Sequence, residues 1–241
     1  MSIRTKDYTG YHWTEQRSRC WGKDENGLLY TQIQRDSIHV TDKNLSDALY
    51  FLENRPADKH FCLSVSFFAA HAQDNHHDQY RYKPSSEKYY QDIEIPLSAT
   101  STPQLYHSLP PFIANEKCES RVRWHWRFDT PEKYQMYMKA YYRMVTEIDL
   151  AVGEIIDRLK EQGELDNTLI IFTGDNGYFQ SDYQITDKWY AYEQSIRVPL
   201  IVFAPRIPAG KRNISYKEIV LNIDIAPTLL SASGGPVPDT M

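Results

Sequence analysis

The strongest constraint in this sequence is a long apolar stripe that lies between a start signal and a stop signal and leads straight into a β-rich run. Thr130-Pro131 predicts a helix start, because threonine can accept from an orphan amide and proline is preorganised for the first helical position. Tyr141, Val145, Ile148, Val152, Ile155 and Leu159 then recur at spacings of four and three, one continuous face of a helix that Gly163 should end. Thr168-Leu-Ile-Ile-Phe-Thr173 follows and gives way to Gly174-Asp-Asn-Gly177. Helix followed by buried strand is half of a βαβ unit. The run Val198 to Ala204 and a last helix starting near Asp224-Ile-Ala-Pro-Thr repeat the alternation. The predicted fold class is therefore α/β, a mostly parallel sheet flanked by helices.

Upstream, the first forty residues are polar and aromatic without a sustained period, and read as loop and short strands. Leu45, Ala48, Leu49 and Leu52 predict a short amphipathic helix from Asn44 to Leu52. His60 to Phe68 is apolar enough for a strand buried on both faces. From Gln73 to about Phe128 the chain is rich in Pro, His, Tyr and charge, which suggests a long insertion over one end of the sheet. No linker long enough to divide the chain is visible, so residues 1–241 are read as one domain.

Composition narrows the function classes. A formal charge of −5 excludes a generic nucleic-acid binder held by net positive charge. No apolar run approaches the roughly 18 residues that a membrane span needs. Cys20, Cys62 and Cys118 are too few and too scattered for a disulfide framework or a zinc cage, and are expected to be buried thiols. The first residues hold no apolar core of the kind that directs export. Two sequons, Asn44-Leu-Ser46 and Asn213-Ile-Ser215, are the only hint of a secretory history. Nothing in the sequence bears on oligomeric state.

In open α/β sheets, ligands collect outside the carboxyl ends of the strands. His71 lies on the loop after the first apolar run, and Asp175-Asn176 follows Thr173 directly. A carboxylate beside an amide oxygen is a hard donor pair, suited to calcium or magnesium. On spacing alone, however, Asn176-Gly177 reads first as a turn dipeptide. Taken singly, Lys188 reads as a solvated lysine, and Arg197 fits a structural brace as well as a substrate contact. Trp124-His125-Trp126-Arg127 fits an aromatic patch packing the insertion against the sheet.

Jointly these blocks say more. Ser66 to His71, Tyr141-Tyr142-Arg143 with Ile148 to Gly153, Asp166 to Gly177, Asp187-Lys-Trp-Tyr190, Ser195 to Val202, and Asp224 to Leu230 resemble the type I sulfatase family in order and spacing, from about Leu45 onward. The resemblance implies an alkaline-phosphatase-like fold that hydrolyses sulfate esters with a calcium ion clamping the sulfate. It implies that Asp175 and Asn176 are metal ligands, that Lys188 holds a sulfate oxygen, and that His71 polarises or protonates the ester oxygen. It further implies a secreted, lysosomal or periplasmic protein, which the sequence itself leaves open. The charge logic is coherent: a divalent cation and an ammonium offset the sulfate, and an imidazole offsets the departing alkoxide.

The departures cluster upstream. The family's nucleophile is a formylglycine made in a Cys/Ser-x-Pro-Ser-Arg loop, and none of Cys20, Cys62, Cys118 or Ser101 stands in one. The sequence contains no Asp-Asp pair to complete the calcium shell. Ala70 replaces the family's usual proline, and Tyr183 stands where many relatives have histidine, which bears on substrate preference. The expectation is the central part of a sulfatase domain, incomplete at both ends, with weak calcium affinity, no turnover and a tendency to aggregate. The alternatives are a non-catalytic paralogue that binds sulfated ligands and a phosphodiesterase-like hydrolase on the same fold. Which sulfate ester is involved lies beyond the sequence.

Overall fold

Thr130 opens the longest helix as its sequence dictates: its side chain accepts from the Lys133 amide at 3.3 Å, with Pro131 in the first turn. Such a cap stabilises a helix by about 1 kcal/mol. The computed structural model describes residues 2–3, 13–23, 29–73 and 79–239, with side chains described from residue 38 onward. In chain order the elements are β1 (Ser2–Ile3), β2 (Trp13–Lys23), β3 (Leu29–His39), α1 (Val40–Asn54), β4 (Ser64–Val65), α2 (Pro103–His107), α3 (Glu119–Arg127), α4 (Pro131–Glu161), β5 (Ile170–Thr173), β6 (Phe179–Gln180), β7 (Thr186–Asp187), α5 (Glu193–Ile196), β8 (Leu200–Phe203) and α6 (Ile225–Ala232).

The strands depart from expectation. Among the described residues they form four two-stranded pairings, and of these only β1 with β4 is parallel. β5 and β8 run antiparallel, Ile170 opposite Phe203 and Thr173 opposite Leu200. The reason lies in the connection. A parallel crossover needs a packed helix to carry the chain back, whereas Thr173 to Leu200 holds only the β6–β7 pair and the one-turn α5. The mostly parallel sheet is thus not what these strands form. The polar N-terminal segment, read as short strands and loop, instead pairs β2 with β3 over eleven residues each. Residues 4–12 and 24–28 of it lie outside the described residues. The expected strand from His60 to Phe68 shortens to Ser64–Val65, alternately exposed and half-buried, so it is not covered on both faces.

The helices hold better. α1 contains the expected Asn44 to Leu52 segment and extends it to Val40 and Asn54. It runs beside α4 in the same direction: Gln162 donates to Leu52 O at 3.1 Å, Arg158 pairs with Glu53, and Arg55 with Glu164 at 3.0 Å. On α4 the buried face is rotated from the apolar stripe. Ile148 and Leu159 are buried, but Val145 is 43% exposed. Tyr134, Met138, Ala140, Arg143, Met144, Glu147 and Ala151 complete the buried set. Two of these are charged, and hydrogen bonds make their burial tolerable. Arg143 donates to the carbonyls of Tyr89 and Glu87, and Glu147 accepts from the Lys83 amide at 2.7 Å.

The described part of residues 73–128 contributes to all three buried clusters. Tyr80 packs with Ala72, Ala140 and Met144; Ile95, Trp124 and Phe128 with Tyr134 and Met138; Tyr106, Leu109 and Ile113 with Phe179 and Ile185. Cys62 is exposed and Cys118 half-buried, which corrects the expectation of buried thiols; the side chain of Cys20 lies outside the described residues. Asn44 is fully buried and donates to Ser66 O at 3.0 Å, so its sequon is closed to modification in the folded chain, while Asn213 is exposed. Among the described residues no helix is long and apolar enough to cross a membrane.

Candidate active site

β5 delivers Gly174-Asp175-Asn176-Gly177 at its carboxyl end, and the loop is held from two sides. Gly177 donates its amide to Ser195 O at 2.7 Å. The approach is close enough that a β-carbon there would stand 2.2 Å from Gln194 O and 2.6 Å from Arg197 O, so only glycine fits. Asn222, just before α6, reaches back toward the carbonyls of Gly174 and Asp175 at 3.4 and 3.5 Å. Neither Asn176 nor Gly177 has a positive φ, which removes the tight hairpin turn that the Asn-Gly dipeptide suggests. Asn176 Nδ2 donates to Gly177 O at 2.7 Å, so its nitrogen is committed locally and the amide's acceptor oxygen is the atom suited to a cation.

Lys188 follows β7. Its carbonyl accepts from Ser195 Oγ at 2.5 Å, so Ser195 fastens both the Asp-Asn loop and the lysine segment. Asp175, Asn176 and Lys188 line one open cleft of about 420 Å³ with Trp189, Tyr190, Ala191, Ser195 and Ile196. The structure thereby brings together three of the four sequence-predicted site residues, although Thr173 and Lys188 are separated by two short strands. His71 is not among the lining residues. It sits on the loop after β4, where Nδ1 contacts Ala72 O at 2.7 Å; a carbonyl only accepts, so Nδ1 is the donor in that contact.

Beneath Lys188 lies a buried charged network that no local pattern announced. Arg127, fully buried at the end of α3, donates from Nη1 to Asp187 Oδ1 at 3.0 Å and to Tyr178 Oη at 2.6 Å, and from Nε to Gln79 Oε1 at 2.9 Å. Tyr178 donates to Asp187 Oδ1 at 2.5 Å, and Arg123 Nη1 lies 3.3 Å from Asp187 Oδ2. Burial opposes the Arg127 charge, but Tyr80, Tyr178 and Asp187 hold the guanidinium firmly protonated. Burial drives the Tyr178 phenol well above its ordinary value and the Tyr80 phenol up to about 12. Sequence reasoning marked Arg127 as part of an aromatic patch; its partners lie some fifty to sixty residues away, and only the fold brings them together. Tyr183 packs with Phe179 and Tyr192 in a core cluster and does not line the cleft.

On the cleft wall, Tyr190 Oη lies 2.8 Å from Cys118 Sγ. Burial pushes the Cys118 thiol up, yet hydrogen bonds from Ser120, Tyr190 and backbone amides bring it below its usual value, and burial raises the Tyr190 phenol. Trp189, 47% exposed, carries the Arg123 guanidinium over its ring at 4.9 Å. Among the described residues no three His, Cys, Asp or Glu side chains gather as a metal cluster. Asp175 and Asn176 fit calcium in donor chemistry, being oxygens, but supply two of the about six to eight it takes.

The Sulfatase family model matches residues 5–235, and the chain belongs to that family. An N-acetylglucosamine-6-O-sulfatase of Bacteroides thetaiotaomicron is 40% identical over 106 residues, 44% of this chain and 19% of the relative. An arylsulfatase of Clostridium perfringens is 27% identical over 229 residues, 93% of this chain and 42% of the relative. A solved structure in complex with D-glucosamine-2-N,6-O-disulfate superposes with a TM-score of 0.64 at 24% identity, over 89% of this chain and 51% of that one. A phosphonate monoester hydrolase from Silicibacter pomeroyi superposes with a TM-score of 0.64 at 22% identity, over 92% of this chain and 44% of that one. These likenesses establish the sulfatase, alkaline-phosphatase-like fold. The chain spans less than half the length of the curated relatives it matches.

Proposed function

We propose that this chain carries the sulfate-holding part of a sulfate-ester hydrolase site, with a sulfated amino sugar as the substrate class. The observation that carries the reading is the convergence of Asp175, Asn176 and Lys188 on one cleft. Lys188 would hold a sulfate oxygen through its ammonium, and Asp175 with the Asn176 amide oxygen would hold a calcium ion. The calcium, when bound, would supply charge compensation for the ester. His71, outside the lining of the cleft, would act on the departing oxygen only as a proton donor from a protonated Nε2, since Nδ1 already donates to Ala72 O. Trp189 offers an exposed aromatic face on which the apolar face of a sugar ring can stack. The sugar class comes from the amino-sugar 6-O-sulfatase relative and from the disulfated glucosamine in the structural neighbour.

The nucleophile loop is not in this sequence, so binding without turnover is the reading for the isolated chain. Among the described residues, oxygen donors rather than imidazoles line the cleft, which favours calcium and sulfate esters over a zinc-dependent phosphodiesterase. Calorimetric titration with inorganic sulfate and with glucosamine 6-sulfate tests it. Both should bind, and Lys188→Ala should remove most of the affinity. Equal binding by wild type and Lys188→Ala would overturn the reading. Calcium-dependent hydrolysis of an aryl sulfate by the isolated chain, abolished by Lys188→Ala, would overturn the binding-only assignment.

A further inference from the structure

We infer that Arg127, Asp187 and Tyr178 form a clamp that sets the distance between the two halves of the sulfate site, and that all three are positioning residues. The inference rests on the reading of Lys188 and Asp175-Asn176 as that site, and it adds which side chains hold the two halves in register. Asp187 directly precedes Lys188, and Tyr178 comes two residues after Asn176. Both meet at one carboxylate oxygen: Arg127 Nη1 reaches Asp187 Oδ1 at 3.0 Å and Tyr178 Oη reaches the same atom at 2.5 Å. Arg127 also donates to the Tyr178 oxygen at 2.6 Å, closing a three-membered ring of hydrogen bonds.

Asp187 adopts a φ of +71°, in the left-handed region that aspartate enters more readily than most residues, and its buried carboxylate ties that turn to Arg127 and Tyr178. Asp187 is 3% exposed and Arg127 fully buried, so neither can face water to reach the cleft; their work is done from beneath it. Above, Ser195 Oγ ties the Lys188 carbonyl. Lys188 is therefore held on one side through its own carbonyl and on the other through the side chain of its neighbour Asp187, while its side chain lines the cleft. A charge-assisted ring in a dry site is stiff and directional, which is what holding an ammonium at a fixed distance from two oxygen donors requires.

Tyr178→Phe is the informative variant, because it keeps the ring packing and the Arg127–Asp187 ion pair and removes only the link to the Asp-Asn loop. The chain is reductively methylated with ¹³C, and the Lys188 signal is identified by its absence from Lys188→Ala. Inorganic sulfate should shift that signal in the wild type. In Tyr178→Phe the same titration should show about fivefold weaker binding, the size of a typical coupling between residues of one network, in a variant that stays folded with a thermal midpoint lowered by the loss of two part-buried hydrogen bonds. Asp187→Asn, whose amide tolerates the left-handed backbone, is the second variant and should weaken sulfate at least as much. Unchanged sulfate affinity in folded Tyr178→Phe and Asp187→Asn would overturn the clamp and leave the sulfate reading standing. No sulfate-dependent shift of Lys188 in the wild type would overturn both.

Discussion

Arg127 Nη1 and Asp187 Oδ1 stand 3.0 Å apart in a site where both side chains are almost wholly removed from water. Taking two charges out of water is costly, and only mutual attraction with full hydrogen bonding offsets it. Gln79 and Tyr178 add hydrogen bonds, and the Arg123 guanidinium lies 3.3 Å from Asp187 Oδ2 as an ion-pair contact rather than a hydrogen bond.

Removing one member should therefore be more damaging than its contact count suggests. Asp187→Ala leaves the Arg127 charge buried without its carboxylate and should lower stability by about 3–5 kcal/mol. Urea unfolding checks it, and a loss under about 1 kcal/mol would show that the guanidinium has reached water or another acceptor.

Two glycines flank the Asp-Asn pair, and they should respond oppositely to alanine. At Gly177 the new methyl meets backbone oxygens at 2.2 and 2.6 Å, which cannot rotate away, so Gly177→Ala should cost about 1–3 kcal/mol by overpacking. It should also weaken sulfate binding, because it pushes the loop off Ser195. At Gly174 the nearest atom is 3.5 Å away, and Gly174→Ala should be close to neutral. Parallel melting curves of the two variants decide; equal losses would contradict the geometry.

Stability should fall in two separate pH windows. His39 caps α1: its Nδ1 accepts from the Thr41 amide, so Nε2 carries the proton and donates to Arg81 O at 3.0 Å. Burial lowers its pKa below the ordinary 6.5, and the Arg81 carbonyl, Glu147 and Asp42 oppose that shift while Lys83 adds to it. The unfolded state then takes up a proton first, so stability declines as pH falls below about 6.5, by at most about 1.4 kcal/mol per pH unit for one group. Glu116, held down by the His125 hydrogen bond, is shifted below its ordinary 4.5. Asp129, where Lys133 and His125 outweigh burial, is shifted below its ordinary 3.8, so the contributions of both fade only in the more acidic range. Thermal midpoints measured from about pH 7.5 to about pH 3 should show the upper window vanish in His39→Gln. Its persistence would remove His39 as the cause.

Calcium should bind weakly. Two side-chain oxygens from one loop cannot enclose the ion, and sites of low ligand count fall near 10⁻⁴ to 10⁻³ M, so affinity tighter than about 10⁻⁵ M would mean that further donors converge. Titration of the wild type against Asp175→Asn gives the answer directly.

β8 presents Leu200, Ile201, Val202 and Phe203 to solvent, with Ile201 62% exposed. A short apolar strand with open faces is an association hazard. Ile201→Lys should raise the concentration at which the chain stays monodisperse in light scattering, with β5–β8 pairing retained. An unchanged threshold would place the association elsewhere.

Much of the candidate site was legible before folding because its members lie in short segments with strong local grammar. A β-rich run ending in Gly-Asp-Asn-Gly, a Lys-Trp-Tyr segment after it and a Thr-Pro helix start each depend on neighbours in sequence. Cap chemistry at Thr130 and the placement of α1, α4, β5, β8 and α6 followed from the same local rules. What depended on distant partners was misread. The stripe through Val145 assumed that apolar residues mark the buried face, whereas α4 buries Arg143 and Glu147 because carbonyls and an amide from residues 83–89 reach them.

By itself, then, the sequence determined which side chains could carry the chemistry: two hard oxygens at a strand end, an ammonium and an imidazole. Only the tertiary structure decided that the oxygens and the ammonium share a cleft while the imidazole lies outside its lining. It alone set β5 against β8 in the antiparallel sense and joined Arg127 to Asp187. Local propensity acts over a few residues, but the desolvation of a charge is settled by whatever the whole chain brings within about 3 Å of it.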